Sequence, residues 1–586
     1  MLEYFITPDP LTHTFEVELH FKPQAAFTTL RMANWTSGSY MIRDYAANIH
    51  SVTASSGLPE QLNKNSWRFA TSANGEPLVV KWSVFAYSPR IHDAIIDRDF
   101  GFINPPAVFL FPDDYDGEIR LHINEVPDSP FEVYTSLDAA AGGMTYTAKS
   151  QEEFLDTPLT FCSPGKAQII RFDACGIEHT MVITNAPALN LDRISEDVRA
   201  ICETAINQWG SAPFERYMFH LQVGAGIYNG LEHQNSTVLQ KDVGDLPGIH
   251  ETDMPKDYPD FLQLVAHEYF HAWMVKFLRP QCLLPYHLTG TEVHTETLWV
   301  FEGFTTYYEH LLVRRAGLVS DDDCVRAFDD TFSRMLLRDG FKVQALSSAS
   351  FNAWINLYKQ TADSFYHQIS YYGKGAMLAL ILDVRIRVES GNLESLDTAL
   401  RRWYEGAVAG TAPRGLAEFG LGELFEHLGF PDLGAMITNL SAVQRNSLWE
   451  GLWQSSLKQL GLVEEPHIAP AAYDYCGITL KSSPAGGFPV VSSCTKDGSG
   501  FACGLYADDE IIAVDGMRTS PAQFDRQIQQ RAGQTCSVHV FHRGVLREIE
   551  LRIPETPEMR RTELKARLTP LGQAWLSNEA LAIAAS

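Results

Sequence analysis

A chain of 586 residues is too long for one hydrophobic core and is expected to divide into about three or four domains. Its apolar fraction of 45% and charged fraction of 20% are those of ordinary globular protein, which excludes wholesale disorder. The formal net charge of −26 repels nucleic-acid phosphates and anionic lipid, so neither nucleic acid nor membrane is an expected partner, and it favours substrates carrying a free amine.

The first residues, Met1-Leu2-Glu3-Tyr4-Phe5, lack a basic stretch followed by an apolar core, so no secretory signal is expected. No apolar run approaches the roughly 18 residues of a membrane span. The nine cysteines are scattered from Cys162 to Cys536 without a C-x-x-C pair. That pattern fits reduced thiols, and a cytoplasmic protein is the expectation.

Residues 1–185 read as strands. Segments such as 15–21, 78–87 and 180–184 alternate or cluster β-formers, and Gly-Ser, Pro-Asp and Asn-Gly pairs punctuate them. An antiparallel β domain is expected here. From about residue 190 the pattern changes: 194–209 has helical periodicity, 217–223 is a strand, and long helices are expected over 258–277, 297–315, 321–337 and 372–389. Residues 464–474, with two prolines, read as a linker. Short strands return over 475–553, with a helix-like segment at 520–531.

The sharpest chemical signal is His267-Glu268-Tyr269-Phe270-His271. On a helix, residues four apart share a face, so both imidazoles can reach one Zn²⁺ at about 2.0–2.1 Å. Glu268 then lies beside the metal, where it can take a proton from bound water. A catalytic zinc takes a third protein ligand and keeps one position open. Among the downstream carboxylates, Glu302 is the one charge between Leu298 and Tyr308, a stretch of large apolar residues, threonines and one glycine. A metal offsets the cost of burying it there. The adjacent Gly303 lets another backbone approach closely. Glu292 and Glu296 lie in a polar loop with His294 and are expected at a solvated surface. Glu309, two turns beyond Glu302 on the same helix face, fits a partner of a ligand better than a ligand.

HEYFH-x-W followed by Leu298-Trp299-Val300-Phe301-Glu302-Gly303-Phe304 resembles the gluzincin clan of aminopeptidase N and leukotriene A4 hydrolase, where the glutamate of W-x-x-E-G is the third zinc ligand. The longer gap between His271 and Glu302, with Leu278-Arg279-Pro280 after the motif, is similar to the bacterial glycyl aminopeptidase family of that clan. So is Trp35-Thr36-Ser37-Gly38-Ser39-Tyr40, which resembles that family's W-x-P-G-S-Y with Ser37 in place of proline. Residues 504–516, Gly-Leu through Val514-Asp515-Gly516, resemble the core of a bacterial PDZ domain, with Asp508 in place of the usual glycine.

The resemblance implies further roles. Gly230-Leu231-Glu232-His233 matches the strand that pairs with the substrate backbone, its glutamate, here Glu232, holding the α-ammonium. Tyr371-Tyr372-Gly373-Lys374-Gly375-Ala376 matches the segment whose tyrosine donates to the tetrahedral oxyanion, which points to Tyr372 with Tyr371 as the neighbouring alternative.

The expected fold is multidomain α+β: an N-terminal β-rich domain (1–185), a thermolysin-like zincin catalytic domain with a helical continuation (186–463), a PDZ-like domain (475–555) and a C-terminal tail (556–586). The expected function is a zinc aminopeptidase with one Zn²⁺ per chain, acting on peptides with a free N-terminus. By resemblance, it prefers small first residues such as Gly or Ala. A peptide ligand or a self-contact is expected at the PDZ-like domain. The alternatives are a zinc endopeptidase, against which Glu232 argues, and a PDZ-mediated binding protein with a vestigial metal site.

Overall fold

The computed structural model describes the chain apart from residues 24, 72–75, 113, 114, 116, 127–129, 252, 419, 444–446, 468–469, 482–486, 560 and 578–586. The chain forms two compact units. The first comprises Met1–Thr297, Tyr308–Val319 and Asp397–Leu424, and the second Leu298–Tyr307, Ser320–Leu396 and Phe425–Ser586. The helix Leu298–Arg315 is continuous across this division. Among the described residues, no helix is long and apolar enough to cross a membrane.

The first unit opens on a seven-stranded sheet in the order Asp138–Ala139, Thr145–Ala148, Ile119–Ile123, Leu2–Asp9, Thr14–Phe21, Leu78–Phe85, Ile49–Ala54. Burial alternates along its strands; Leu2, Tyr4 and Ile6 point inward from the first. That period of two is why these segments form half-buried strands. The sheet departs from the antiparallel expectation at one pair, Leu2–Asp9 beside Ile119–Ile123, which runs parallel. Two four-stranded sheets complete the β-rich part. One of them follows the order Glu132–Tyr134, Leu159–Cys162, Phe100–Ile103, Ala94–Ile96.

Strands Gln168–Ala174 and Ile177–Thr184 join a later five-stranded sheet, because Ile177–Thr184 pairs in parallel with Arg216–Gly224. Ser236–Asp242 follows, and Tyr228–Glu232 forms the edge. Helix Leu191–Trp209 begins at Asn190, whose side chain accepts from the Arg193 amide, and ends at Gly210 in the left-handed region.

The motif helix spans Tyr258–Phe270, shorter than the expected 258–277. Trp273 and Met274 are apolar because they are buried in a set of tight turns, and they do not extend the helix. Val275 takes a φ of 83°, and its amide bonds to the Leu278 carbonyl. Burial and helical periodicity are indistinguishable over so short an apolar run.

In the second unit, helices Asp321–Leu336 and Tyr371–Glu389 lie close to their expected spans. The expected linker is a correction: Leu462–His467 is a strand paired antiparallel with Arg561–Ala566, and Ala471–Cys476 is a helix. Of the segment read as a tail, 561–566 is therefore a strand and Pro570–Ser577 a helix, while 560 and 578–586 lie outside the described residues. Trp575 of that helix is fully buried and donates to the Tyr307 hydroxyl at 2.6 Å, which donates to Asp383 at 2.7 Å. Between the paired strands lies a small six-stranded sheet, with Pro521–Gln530 capped by Ser520.

Candidate active site

His267 lies in the last turn of its helix, and His271 is the residue that caps it. His267 Nδ1 is 2.5 Å from Glu309 Oε2, and His271 Nδ1 is 2.9 Å from the Met274 carbonyl. With a carboxylate and a carbonyl as acceptors, each Nδ1 carries the proton and each Nε2 presents a lone pair. The two Nε2 atoms stand 3.1 Å apart. Burial works against protonating His267, but the hydrogen bond and charge of Glu309 outweigh it and raise its pKa.

Glu302 sits two turns before Glu309 on the one helix and is 1% exposed. The nearest ligand atoms of His267, His271 and Glu302 lie within 4.8 Å of one another. Glu292 and Glu296 belong to no such group among the described residues.

A second convergence involves Glu232, Glu268 and His271, all buried, whose nearest side-chain atoms also fall within 4.8 Å of each other. The edge strand Tyr228–Glu232 makes this close. A Cβ on Gly230 would fall 1.9 Å from Glu268 Oε1, so only glycine lets the strand pass the carboxylate. Strand alternation puts Glu232 on the same face as Gly230 and turns Leu231 the other way. The Leu231 side chain packs with Ile91, Phe100, Phe102 and Val238, so only its backbone is left for a ligand.

Glu232 is covered by a turn that sequence reasoning left without a role. Gly38, at φ +84°, lies so close that a Cβ there would be 2.4 Å from Glu232 Oε1. Its neighbour Ser37 donates to Asp156 at 2.7 Å and accepts from Lys276 Nζ at 2.8 Å. Lys276 also donates to Asp156 at 2.8 Å, and the Gln234 amide donates to the other Asp156 oxygen at 2.8 Å. Burial would raise the Asp156 pKa, but Lys276 and His233 hold it below the ordinary value. Burial likewise works to discharge Lys276, and the carboxylates of Asp156 and Glu232 outweigh it. The sequence signal was available in Trp35–Tyr40 as a resemblance, but Asp156 and Lys276 carried none.

In the second unit, the Leu298–Tyr307 part of helix Leu298–Arg315 meets helix Tyr371–Glu389 at their glycines. A Cβ on Gly303 would lie 2.5 Å from the Gly375 Cα, and one on Gly375 would lie 2.8 Å from the Gly303 Cα. This contact brings the Tyr372 ring near Glu302. Burial first, then Glu302, raise the Tyr372 pKa well above its ordinary value, so the phenol keeps its proton. Tyr371 stacks on it at 4.9 Å between centroids and is fully buried, whereas Tyr372 is only half-buried.

Two family profiles match the chain: the Peptidase M61 N-terminal domain over residues 3–163, and M61 glycyl aminopeptidase over residues 260–378. Over these two segments the chain is similar to the M61 glycyl aminopeptidase family. The crystal structure of an aminopeptidase N family protein from Idiomarina loihiensis is 29% identical, with a TM-score of 0.91, and the match covers 98% of this chain and 100% of that one. Aminopeptidase A of Legionella pneumophila, solved with aspartic acid, is 12% identical at a TM-score of 0.48, over 80% of this chain and 50% of that one. The M1 zinc metallopeptidase of Deinococcus radiodurans is 12% identical at 0.46, over 75% and 92%. Those two likenesses are too low to bear on function. Among curated proteins, none matches. The two profile matches and the likeness to the Idiomarina protein support a peptidase, a hydrolase acting on peptide bonds.

Proposed function

We propose that this protein is a zinc aminopeptidase of the M61 type that releases small N-terminal residues, Gly or Ala, from peptides. The observation that carries the reading is the placement of Glu232 beside Glu268 and His271. A buried carboxylate this close to the ligand cluster fixes a free amino terminus as the register mark, so the first peptide bond meets the reacting groups.

The donor set fits one Zn²⁺. Two neutral imidazoles, their orientations set by Glu309 and the Met274 carbonyl, face one point, and Glu302 supplies an anionic oxygen from a buried position. When bound, Zn²⁺ supplies Lewis-acid activation of water and of the scissile carbonyl.

The chain's own groups do the rest. Glu232 accepts hydrogen bonds from the α-ammonium. The edge strand Tyr228–Glu232 adds the peptide backbone as a further strand, with Gly230 and Leu231 offering main-chain groups. Glu268 takes the proton of the attacking water and returns it to the leaving amine. Tyr372, protonated and partly exposed, donates to the developing oxyanion, a contribution of about 3 kcal/mol where the geometry holds.

We keep 1–185, 186–463 and 475–555 as approximate domains, with Gln168–Ala174 and Ile177–Thr184 given to the catalytic part and Arg561–Ala566 and Pro570–Ser577 given to its helical continuation. The 475–555 segment reads as a PDZ-like module that takes a peptide or contacts the rest of the chain. Support comes from Asp508, which holds a left-handed φ of 71° at the position of that module's glycine, a conformation Asp adopts more readily than most residues.

The test uses zinc-loaded protein on Gly-Ala-Phe and its N-acetylated twin, with product masses recorded. Stepwise cleavage of the free-amine peptide alone supports the aminopeptidase. Cleavage of both makes the protein an endopeptidase, and cleavage of neither favours a binding protein. Glu268→Gln should keep the metal and lose most turnover.

A further inference from the structure

The amine-binding role of Glu232 raises a question of mechanics. A carboxylate that sets register must be held to within about half an ångström, and its supports must be rigid. Among the described residues, Glu232 Oε1 has no hydrogen-bond partner, although the side chain is only 4% exposed. What bounds it instead is the Gly38 backbone.

That backbone belongs to a turn fixed at several points. Thr36 and Ser39 form a bridge, and the Ser39 amide bonds to the Thr36 carbonyl. The Asn34 amide bonds to the Leu288 carbonyl, and its side-chain amide donates to the carbonyls of Thr289 and Gly290. Ser39 accepts from Arg43 at 2.6 Å. At the centre, Ser37 is held by the buried Lys276–Asp156 pair, and Asp156 is in turn bound by the backbone amide of Gln234, two residues from Glu232. The network therefore joins the turn to the strand end that carries Glu232.

Beside the turn lies a cavity of about 800 Å³ lined by Ser37, Asp156 and Tyr286, among others. The turn thus has Glu232 against one residue and open volume against the next. Without its anchors it has room to retreat, and Glu232 would lose its stop.

We propose that the turn 36–39, locked by the Lys276–Asp156 pair through Ser37, is the stop that sets Glu232, making Ser37, Gly38 and Lys276 positioning residues for recognition of the substrate amine. The proposal rests on the assignment of Glu232 to that amine. Gly38 must be glycine because a Cβ there would fall 2.4 Å from the carboxylate and its φ is +84°. Lys276 must be a buried cation because it ties Ser37 and Asp156 together, and its charge also acts on Glu232.

The experiment is steady-state kinetics of the zinc-loaded full chain on Gly-Ala-Phe for Glu232→Gln, Gly38→Ala, Ser37→Ala, Lys276→Met and the double variant Glu232→Gln/Gly38→Ala, with zinc content and melting temperature recorded. Loss of a charge-assisted contact in Glu232→Gln should raise KM at least about tenfold. Gly38→Ala should raise KM by a similar factor, kcat should change by less than about threefold, and zinc should stay unchanged. Because Gly38 acts through Glu232, the double variant should be no worse than about twofold beyond Glu232→Gln alone. Ser37→Ala, which removes one hydroxyl, carries the anchoring arm of the test if Lys276→Met does not fold.

Additive effects in the double variant, or KM within twofold of wild type in folded Gly38→Ala and Ser37→Ala, would overturn the proposal while leaving the role of Glu232 standing. An unchanged KM in Glu232→Gln would overturn both.

Discussion

Replacing Gly230 by alanine offers a sharp test of the site geometry. The added Cβ would lie 1.9 Å from Glu268 Oε1 and 2.4 Å from its Cδ, whereas ordinary contact begins at 3.4 Å. Either the carboxylate or the strand must yield by about 1.5 Å. The strand is paired on one side with Ser236–Asp242, and the end of a side chain shifts more readily than a paired backbone, so the carboxylate is the softer element. A displacement of 1 Å at a reacting group can cost about a hundredfold, and kcat should fall by at least that factor. Stability should drop by about 1–3 kcal/mol, the range for a methyl forced into a filled space. Zinc should be retained, because Glu268 takes no part in the ligand set. The assay is initial-rate cleavage of Gly-Ala-Phe at saturating peptide, with metal by elemental analysis and unfolding by urea. A kcat within threefold of wild type in folded, metal-loaded Gly230→Ala would refute the placement of Glu268 as the proton acceptor.

Other outcomes follow from the same geometry. Glu302→Ala should lower zinc content measured by elemental analysis, and unchanged zinc would move the third ligand elsewhere. Gly375→Ala puts a Cβ 2.8 Å from the Gly303 Cα and from the Trp299 carbonyl oxygen; both are backbone, so the helices must part. A loss of about 1–3 kcal/mol and a fall in kcat from the shifted Tyr372 are expected, checked by urea unfolding and initial rates. Lys374 has its pKa pushed down to about 8 by burial, against 10.5 for an exposed lysine. Between those values the unfolded chain binds the extra proton, so this residue makes stability rise as pH goes from 8 to 10.5, by up to about 3 kcal/mol. Lys374→Met should lack that rise; parallel stability curves for the two proteins from pH 8 to 10 would contradict it.

The cluster of His267, His271 and Glu302 was legible because its residues are chemically loud and two of them are close in sequence. His267, Glu268 and His271 sit within five residues, and Glu302 stood out as a lone charge in an apolar stretch. Glu309 followed from the helix repeat. The helix end at Phe270 was not legible, since Trp273 and Met274 are apolar for reasons of burial. The anchoring of Glu232 was hidden for a different reason. Ser37, Asp156 and Lys276 are far apart in the chain, and nothing local distinguishes a buried Asp–Lys pair from two surface charges. The strand Leu462–His467 carries two glutamates and a proline, which reads as a loop until its partner Arg561–Ala566 is known.

That strand pair has a consequence for how the protein can change. His467 stands opposite Arg561 in the ladder, so the chain leaves for the small sheet and returns from it at one place. The returning chain then lays Arg561–Ala566 near the helix Asp321–Leu336, with the Leu564 amide donating to Asp329, and buries Trp575 against Tyr307 and Phe328. What looked like a terminus is therefore part of the peptidase framework, and the intervening sheet is a detour from it. A segment whose entry and exit are neighbours can be lengthened, exchanged or lost with little change to the path of the remaining chain. Evolution, or an engineer, is free to vary that module while the last helix stays where the framework needs it.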